Sequence, residues 1–163
     1  MNAAISLHNS GFNQLSFNFA GSFSNEYFKE QFLRIIEGLS YIKYLGIISG
    51  NVKYNLLMKS QIFCLPSYYP YEGQPISILE GYAAGCFVLT TDQGGIKDIF
   101  KDKINGVLIK KKSISSIEKA VKSYLMLNES ERYRIGLRNK LIVKEKYTIN
   151  NFISNIKKVF DSI

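Results

Sequence analysis

Apolar residues recur along this chain with two alternating periods. In QLSFNFAG (14–21) Leu15, Phe17 and Phe19 fall at every second position, which puts all three on one face of a β-strand. In SNEYFKEQFLRIIEGL (24–39) a capping candidate, Ser24, precedes Tyr27, Phe28, Phe32, Ile35 and Ile36 at helical spacing. That pattern predicts a helix laying one face on a sheet. The rhythm then repeats. IKYLGIISG (42–50) predicts a strand running into a turn, VKYNLLMK (52–59) a short helix, and QIFCLPS (61–67) a strand stopped by Pro66. CFVLTT (86–91) is a continuous apolar run, as a strand buried on both faces requires. GGIKDIF reads as a turn entering a short helix and INGVLI (104–109) as a turn and a strand. SISSIEKAVKSYLML (113–127) carries Ile114, Ile117, Val121 and Leu125 along one helical stripe. Two further helices, parted near Thr148, close the chain, so the closing helices run over about 113–163.

Strands alternating with helices imply right-handed βαβ units: an α/β fold with a mostly parallel sheet flanked by helices. A chain of 163 residues suits a single domain, 1–163, that buries about two thirds of the surface its unfolded form exposes. In such folds ligands sit beyond the carboxyl ends of the strands, in the loops leading into helices. The loops to inspect are therefore PSYYPYEGQP, TDQGG and SGNV, each of which follows a predicted strand.

Charge and cysteine content narrow the surroundings. The 21 Lys and Arg outnumber the 13 Asp and Glu, giving +8, with excess cations in KDKINGVLIKKKS and near the C-terminus. Such a surface suits nucleic acid, anionic lipid or a phosphorylated substrate, and equally a solvated basic face. Cys64 and Cys86 flank apolar runs and read as buried, reduced thiols of a cytoplasmic protein. No window approaches the ~20 apolar residues of a membrane span, and the first residues lack an export signal's basic cluster and apolar run.

The stretch EGQPISILEGYAAG (72–85) concentrates the chemistry. Pro75 fits the first turn of a helix, where its missing N–H costs nothing, and Gly85 fits the stop. Glu72 and Gly73 then lie in the loop before the helix and Glu80 inside it. The N–H groups of Ile76 and Ser77, with the positive end of the helix dipole, form an anion site suited to phosphate, and Gly73 lets the backbone approach a ligand. A carboxylate beside a phosphate site must bind something else, and the vicinal hydroxyls of sugars and riboses match its acceptor-only chemistry. Glu80, set among Ile78, Leu79, Tyr82, Ala83 and Ala84, would be costly if buried without a partner.

Pro66-Ser67, the E-x7-E spacing of Glu72 and Glu80, the Ala84-Gly85 stop, the Gly94-Gly95-Ile96 turn and Asn105-Gly106 fall in one order within LPSYYPYEGQPISILEGYAAGCFVLTTDQGGIKDIFKDKINGVLI. That run resembles the nucleotide-binding, C-terminal half of bacterial family-four glycosyltransferases, which have two Rossmann-like domains. The resemblance extends more loosely over almost the entire chain. It implies a single Rossmann-like donor-binding domain and transfer of a sugar from a nucleotide-diphosphate sugar to a hydroxyl acceptor, a glycan or glycolipid, in cell-surface polysaccharide or glycolipid synthesis. By that likeness Glu72 is the candidate catalytic residue and holds hydroxyls of the donor sugar, while Glu80 holds those of the ribose. The amides after Gly73, at Gln74, Ile76 and Ser77, receive the diphosphate, and Val52 meets the base through its backbone. Many relatives have glycine where this chain has Pro75, so one amide donor is absent. The likeness further implies that MNAAISLHNSGF is the helix following the family's first strand. That strand, a basic residue after it and the acceptor-binding domain then lie outside this sequence, in a truncated part or on a separate N-terminal chain. A nucleotide-sugar-binding module, or an inactive fragment, without catalysis of its own is the alternative.

Other chemistries find little here. The chain has no D-x-D, no G-x-G-x-x-G and no Walker loop, and His8 is its only histidine, so neither a cofactor nor a metal site is expected. His8 reads as an ordinary helix residue. Tyr68, Tyr69 and Tyr71 have no interleaved basic residue, so they read as the lip of the donor pocket rather than a nucleic-acid stacking surface, and no nucleic-acid partner is expected. Lys110, Lys111 and Lys112 suit either peripheral contact with anionic lipid at the inner face of the cell membrane or a solvated turn.

Overall fold

The computed structural model describes residues 1–161. The chain divides into two compact units, Met1–Tyr54 and Asn55–Ile163. Both sheets are parallel, as the alternation of elements requires. The ladder is interrupted, however: the first two strands pair with each other, and the last three form a separate sheet in chain order.

The first unit holds α1 (Asn2–Asn9), β1 (Phe17–Phe19), α2 (Glu26–Ile36) and β2 (Ile42–Tyr44). Phe17 lies opposite Ile42 and Phe19 opposite Tyr44. The period of two is visible in the burial: Leu15, Phe17 and Phe19 are half-buried while Ser16, Asn18 and Ala20 are exposed. Asn25, one residue beyond the expected Ser24, caps α2, its side chain accepting the Phe28 N–H at 3.0 Å. Phe32 then reaches the sheet, with ring centroids 5.2 Å from Phe19 and 5.8 Å from Tyr44. Ile36 is half-buried, but the other three residues of the expected stripe are not covered: Tyr27 is 65% exposed, Phe28 55% and Ile35 46%. Two strands about 5 Å apart are too narrow to cover the flank of a helix about 10 Å across. His8 lies in α1 as expected, stacked on Tyr41 with ring centroids 3.7 Å apart. A third helix, α3 (Gly50–Lys59), spans the division and starts two residues before the predicted position.

In the second unit the elements are β3 (Ile62–Leu65), α4 (Ile76–Ala84), β4 (Phe87–Thr90), α5 (Ile96–Ile99), β5 (Gly106–Leu108), α6 (Ile114–Met126), α7 (Glu129–Lys146) and α8 (Ile149–Phe160). β4 is central and buried at every position, so its backbone groups must pair with both neighbours. Cys64 pairs in register with Leu89, and Val88 with Gly106. Ile78 and Tyr82 of α4 pack with Val88, Ile96, Ile99 and Phe100 to form the core, and the Tyr82 hydroxyl donates to the Ile99 carbonyl at 3.2 Å. Gly85 ends α4 in the left-handed conformation, φ 83°. The expected stripe of α6 holds from its second turn on, with Val121 buried and Ile117 and Leu125 half-buried. Ile114 is 45% exposed, and Ala120, Val121 and Tyr124 are the buried residues, because Ser113 caps the helix and leaves Ile114 in its first turn at the rim. Thr148 caps α8, as its position between the last two helices suggested, and α8 buries none of its residues. Ser162 and Ile163, which the sequence places in the closing helix, lie outside the described residues.

The two cysteines differ. Cys86 is buried, its thiol directed at the Leu57 and Ser60 carbonyls, and burial pushes its pKa up to about 11. Cys64 is an exposed residue, contrary to expectation, on the edge strand β3, yet the atoms around its sulfur desolvate the thiol and push its pKa up to about 11 as well.

A buried polar cluster ties α7 to the sheet. Asn139 donates to the Cys86 carbonyl at 2.8 Å and the Asn105 carbonyl at 3.0 Å, and its own oxygen accepts from the Asn105 amide at 2.8 Å. Asn105 in turn accepts the Lys101 N–H at 2.9 Å. Both side chains are essentially inaccessible to water. Replacing Asn139 with Ala strands the Cys86 carbonyl and the Asn105 amide, while the Asn105 carbonyl keeps the Val88 N–H at 3.2 Å, so Asn139→Ala is expected to lower unfolding free energy by about 2–3 kcal/mol. The shift would be read as a lower urea midpoint at unchanged slope.

Candidate functional site

At the carboxyl end of the second sheet, two threonines that close β4 hold the loop leaving β3. Thr90 donates its hydroxyl to the Leu65 carbonyl at 3.0 Å, and fully buried Thr91 donates to the Ser67 carbonyl at 2.5 Å. The loop also folds on itself. The Tyr69 N–H reaches the Ser67 hydroxyl oxygen at 3.3 Å, and the Glu72 N–H reaches the Tyr69 carbonyl at 3.2 Å. The Ser67 hydroxyl donates to Oε2 of Glu72.

A second loop clasps Glu72 from the other side. Its carbonyl accepts the Gly95 N–H at 3.3 Å. Gly94, at φ +52°, lies so close that a Cβ there would stand 1.8 Å from the Glu72 oxygen. Only a residue without a side chain permits that approach. Glu72 is therefore fixed at its side chain by Ser67 and at its backbone by the Gly94-Gly95 turn, and the carboxylate remains half-buried.

Gly73 and Gln74 follow, both exposed, and α4 begins. Pro75 is its N-cap, with φ −70° and ψ 113°, one position before the first-turn place that its missing N–H suggested. Its extended ψ turns the chain into the helix, and its carbonyl accepts the Ile78 N–H at 3.1 Å. The Ile76 and Ser77 amides come ahead of that bond, among the first-turn donors that an α-helix leaves without intrahelical partners. The dipole adds partial positive charge at the same point.

Glu80 is half-buried, and helical geometry explains how it escapes its apolar sequence neighbours. Ile78, Gly81 and Tyr82 turn to the core, while Glu80 shares the opposite flank with Ile76, 71% exposed, and half-buried Ser77. Glu80 stands one helical turn beyond Ile76 and Ser77 on that flank. Glu72, Gly73, Gln74, Ile76, Ser77 and Glu80 thus gather around one helix terminus. Val52 belongs to the first unit, 64% exposed in the first turn of α3.

The rim holds Tyr68, Tyr69 and Tyr71, all exposed, with Tyr69 and Tyr71 edge to face at 5.7 Å. Lys112 places its ammonium 4.8 Å from the centre of the Tyr68 ring. Lys111 approaches Asp92 to 3.1 Å, and this contact holds the Asp92 carboxyl below its ordinary range. Two lysines of the basic run are thus bound to the loops after β3 and β4. Sequence reasoning assigned no role to Thr91 or Asp92 and used Ser67 only as a motif position. A polar residue just past each strand end was the available signal.

The sequence profile described as glycosyl transferases group 1 matches residues 3–142. The chain is 29% identical over 123 residues to the N,N'-diacetylbacillosaminyl-diphospho-undecaprenol alpha-1,3-N-acetylgalactosaminyltransferase of Campylobacter jejuni, covering 75% of this chain and 31% of that protein. Among solved structures, Anabaena HepE in complex with UDP and glucose superposes with a TM-score of 0.79 at 16% identity, over 92% of this chain and 41% of HepE. The C-terminal domain of a group 1 family glycosyl transferase, LpcC of Francisella tularensis, superposes with a TM-score of 0.66 at 19% identity, over 84% of this chain and 90% of that domain. The likeness to these two structures is one of fold.

The clasp at Glu72 can be tested by a paired substitution. Gly94→Ala forces a Cβ into the Glu72 carbonyl at a left-handed φ and is expected to cost about 2–4 kcal/mol of stability. Gly73→Ala, whose Cβ would meet nothing within 4 Å, should change the unfolding free energy by less than about 1 kcal/mol in the same urea titration.

Proposed function

The chain belongs to the group 1 glycosyl transferases, and on that footing we propose that it supplies the donor-binding half of an enzyme moving a sugar from a nucleotide-diphosphate sugar to a hydroxyl acceptor. The observation that carries this reading is what meets at the start of α4: a carboxylate clasped at Glu72 and the first-turn amides of Ile76 and Ser77, with Glu80 one turn along on the same flank. In this reading Glu72 accepts hydroxyls of the donor sugar and Glu80 those of the ribose. The diphosphate lies against the backbone following Gly73, at Gln74, Ile76 and Ser77.

Transfer breaks the bond between the anomeric carbon and the diphosphate oxygen and forms a bond from that carbon to the acceptor oxygen, which gives up its proton. Charge develops on the departing diphosphate. Oriented helix-terminus amides stabilise such charge without reorganising, and no metal or cofactor enters this scheme. The configuration is retained, as in the family that the sequence resembles.

The chain spans 31% of the Campylobacter relative, so the acceptor, a glycan or glycolipid of the cell surface, is held by a domain outside this sequence or on a separate chain. Among the described residues no helix is long and apolar enough to cross a membrane. A peripheral site at the inner face of the cell membrane fits a lipid-linked acceptor, with Lys110 and the exposed apolar residues of α8 as the contact.

The experiment is isothermal calorimetry with UDP- and GDP-sugars on the wild type and on Glu80→Ala. Loss of the ribose contact should weaken binding about tenfold or more. Clear and equal binding by both proteins would remove Glu80 from the ribose site.

A further inference from the structure

Glu72 has several lone pairs and one rotatable arm, so its usefulness to a sugar depends on which oxygen faces the ligand and how tightly the carboxylate is held. The structure resolves both through a residue without an assigned role. From the hydrogen bonds around Ser67 we infer that this serine is the positioning residue of the donor-sugar site, setting the Glu72 carboxylate for the hydroxyls it receives. The inference rests on the proposed reading of Glu72.

Ser67 is fixed by its main chain and directed by its side chain. Its carbonyl accepts the hydroxyl of Thr91, which is fully buried at the end of β4, so the loop starts from a rigid point. Its hydroxyl oxygen accepts the Tyr69 N–H at 3.3 Å. A serine hydroxyl has a single hydrogen, and with an N–H already pointing at its oxygen that hydrogen is turned to Oε2 of Glu72. The bond occupies one lone pair of Oε2. Oε1 and the remaining lone pair stay available to two sugar hydroxyls. The Gly95 N–H on the Glu72 carbonyl fixes the other end of the residue, so neither its backbone nor its side chain must be ordered when the donor arrives.

A serine that only closed the loop would support the whole site, whereas a positioning serine acts on the sugar alone. The measurement is therefore a ratio: the affinity of a sugar nucleotide over that of its nucleoside diphosphate. Calorimetry on the full chain with UDP, UDP-glucose, UDP-N-acetylgalactosamine, GDP and GDP-mannose identifies the pair that wild type binds best. Ser67→Ala keeps the Thr91 bond to the main chain and loses the hydroxyl. It is expected to hold the diphosphate within about twofold of wild type and to lose about tenfold of the sugar's added affinity. Ser67→Thr, which restores the hydroxyl, should recover most of the ratio. Ser67→Cys, near serine in size with only a weak donor, should behave as Ala does, and it serves as the test if the alanine variant does not fold. Three results overturn the inference: an unchanged ratio in Ser67→Ala and Ser67→Cys, equal falls in diphosphate and sugar-nucleotide affinity, or no added affinity from the sugar in wild type. A wild type that holds no nucleoside diphosphate overturns the proposed function itself, and this inference with it.

Discussion

The second unit is organised by the complete burial of β4. A strand without water on either face must bond its amides and carbonyls to neighbouring strands on both edges, and β3 and β5 do so in parallel. Parallel pairing has a geometric corollary: every strand ends on the same side. The loops after β3 and β4 therefore emerge together, and Thr90 and Thr91, the last buried residues of the central strand, hold the loop from β3 by its carbonyls. The candidate site is the far end of the same hydrogen-bonding requirement that builds the sheet.

What the loops do with that proximity depends on the absence of side chains. The Gly94-Gly95 turn meets Glu72 and Gly73 backbone to backbone, and the contact converts a surface loop into part of a rigid frame. The start of α4 then combines two unlike surroundings within a few residues. One is a carboxylate held from both sides, and the other is a helix terminus with donors in reserve. Few ligands need both. A molecule carrying hydroxyls on either side of a diphosphate is one of them.

Much of this was legible in the sequence, for reasons that differ by element. Period-two and helical spacing located β1, α2 and α6, since burial on one face leaves its mark on consecutive residues, while a continuous apolar run marked β4, Pro75 and Gly85 bracketed α4, and α1 came from the family likeness alone. The boundaries moved where a cap decides them: Asn25 rather than Ser24 accepts the free N–H of α2, and Pro75 stands just outside α4 instead of within it. The stripe on α2 misled because periodicity records which face is apolar and not whether anything wide enough lies beneath it. Cys64 misled for a related reason, being apolar in its neighbours yet set on an edge strand. At the site, E-x7-E and the flanking glycines were visible because they are local. The bonds from Thr91 to Ser67 and from Lys111 to Asp92 join segments that the chain brings together only after folding, and no spacing announces them.

The polar cluster on α7 bears on the order in which the molecule assembles. Asn139 closes on the Cys86 carbonyl across 53 positions of chain, while the strand pairings of β3 with β4 and β4 with β5 span far shorter loops. Closing a long loop costs more entropy, and buried polar groups gain little until their geometry is nearly final. The sheet can therefore be sketched early, but the Cys86 carbonyl stays hydrated until α7 arrives. Synthesis on a ribosome runs in that direction as well. The loops after β3 and β4 leave the exit tunnel before residue 139, so the sheet that carries them is completed by a helix made after them.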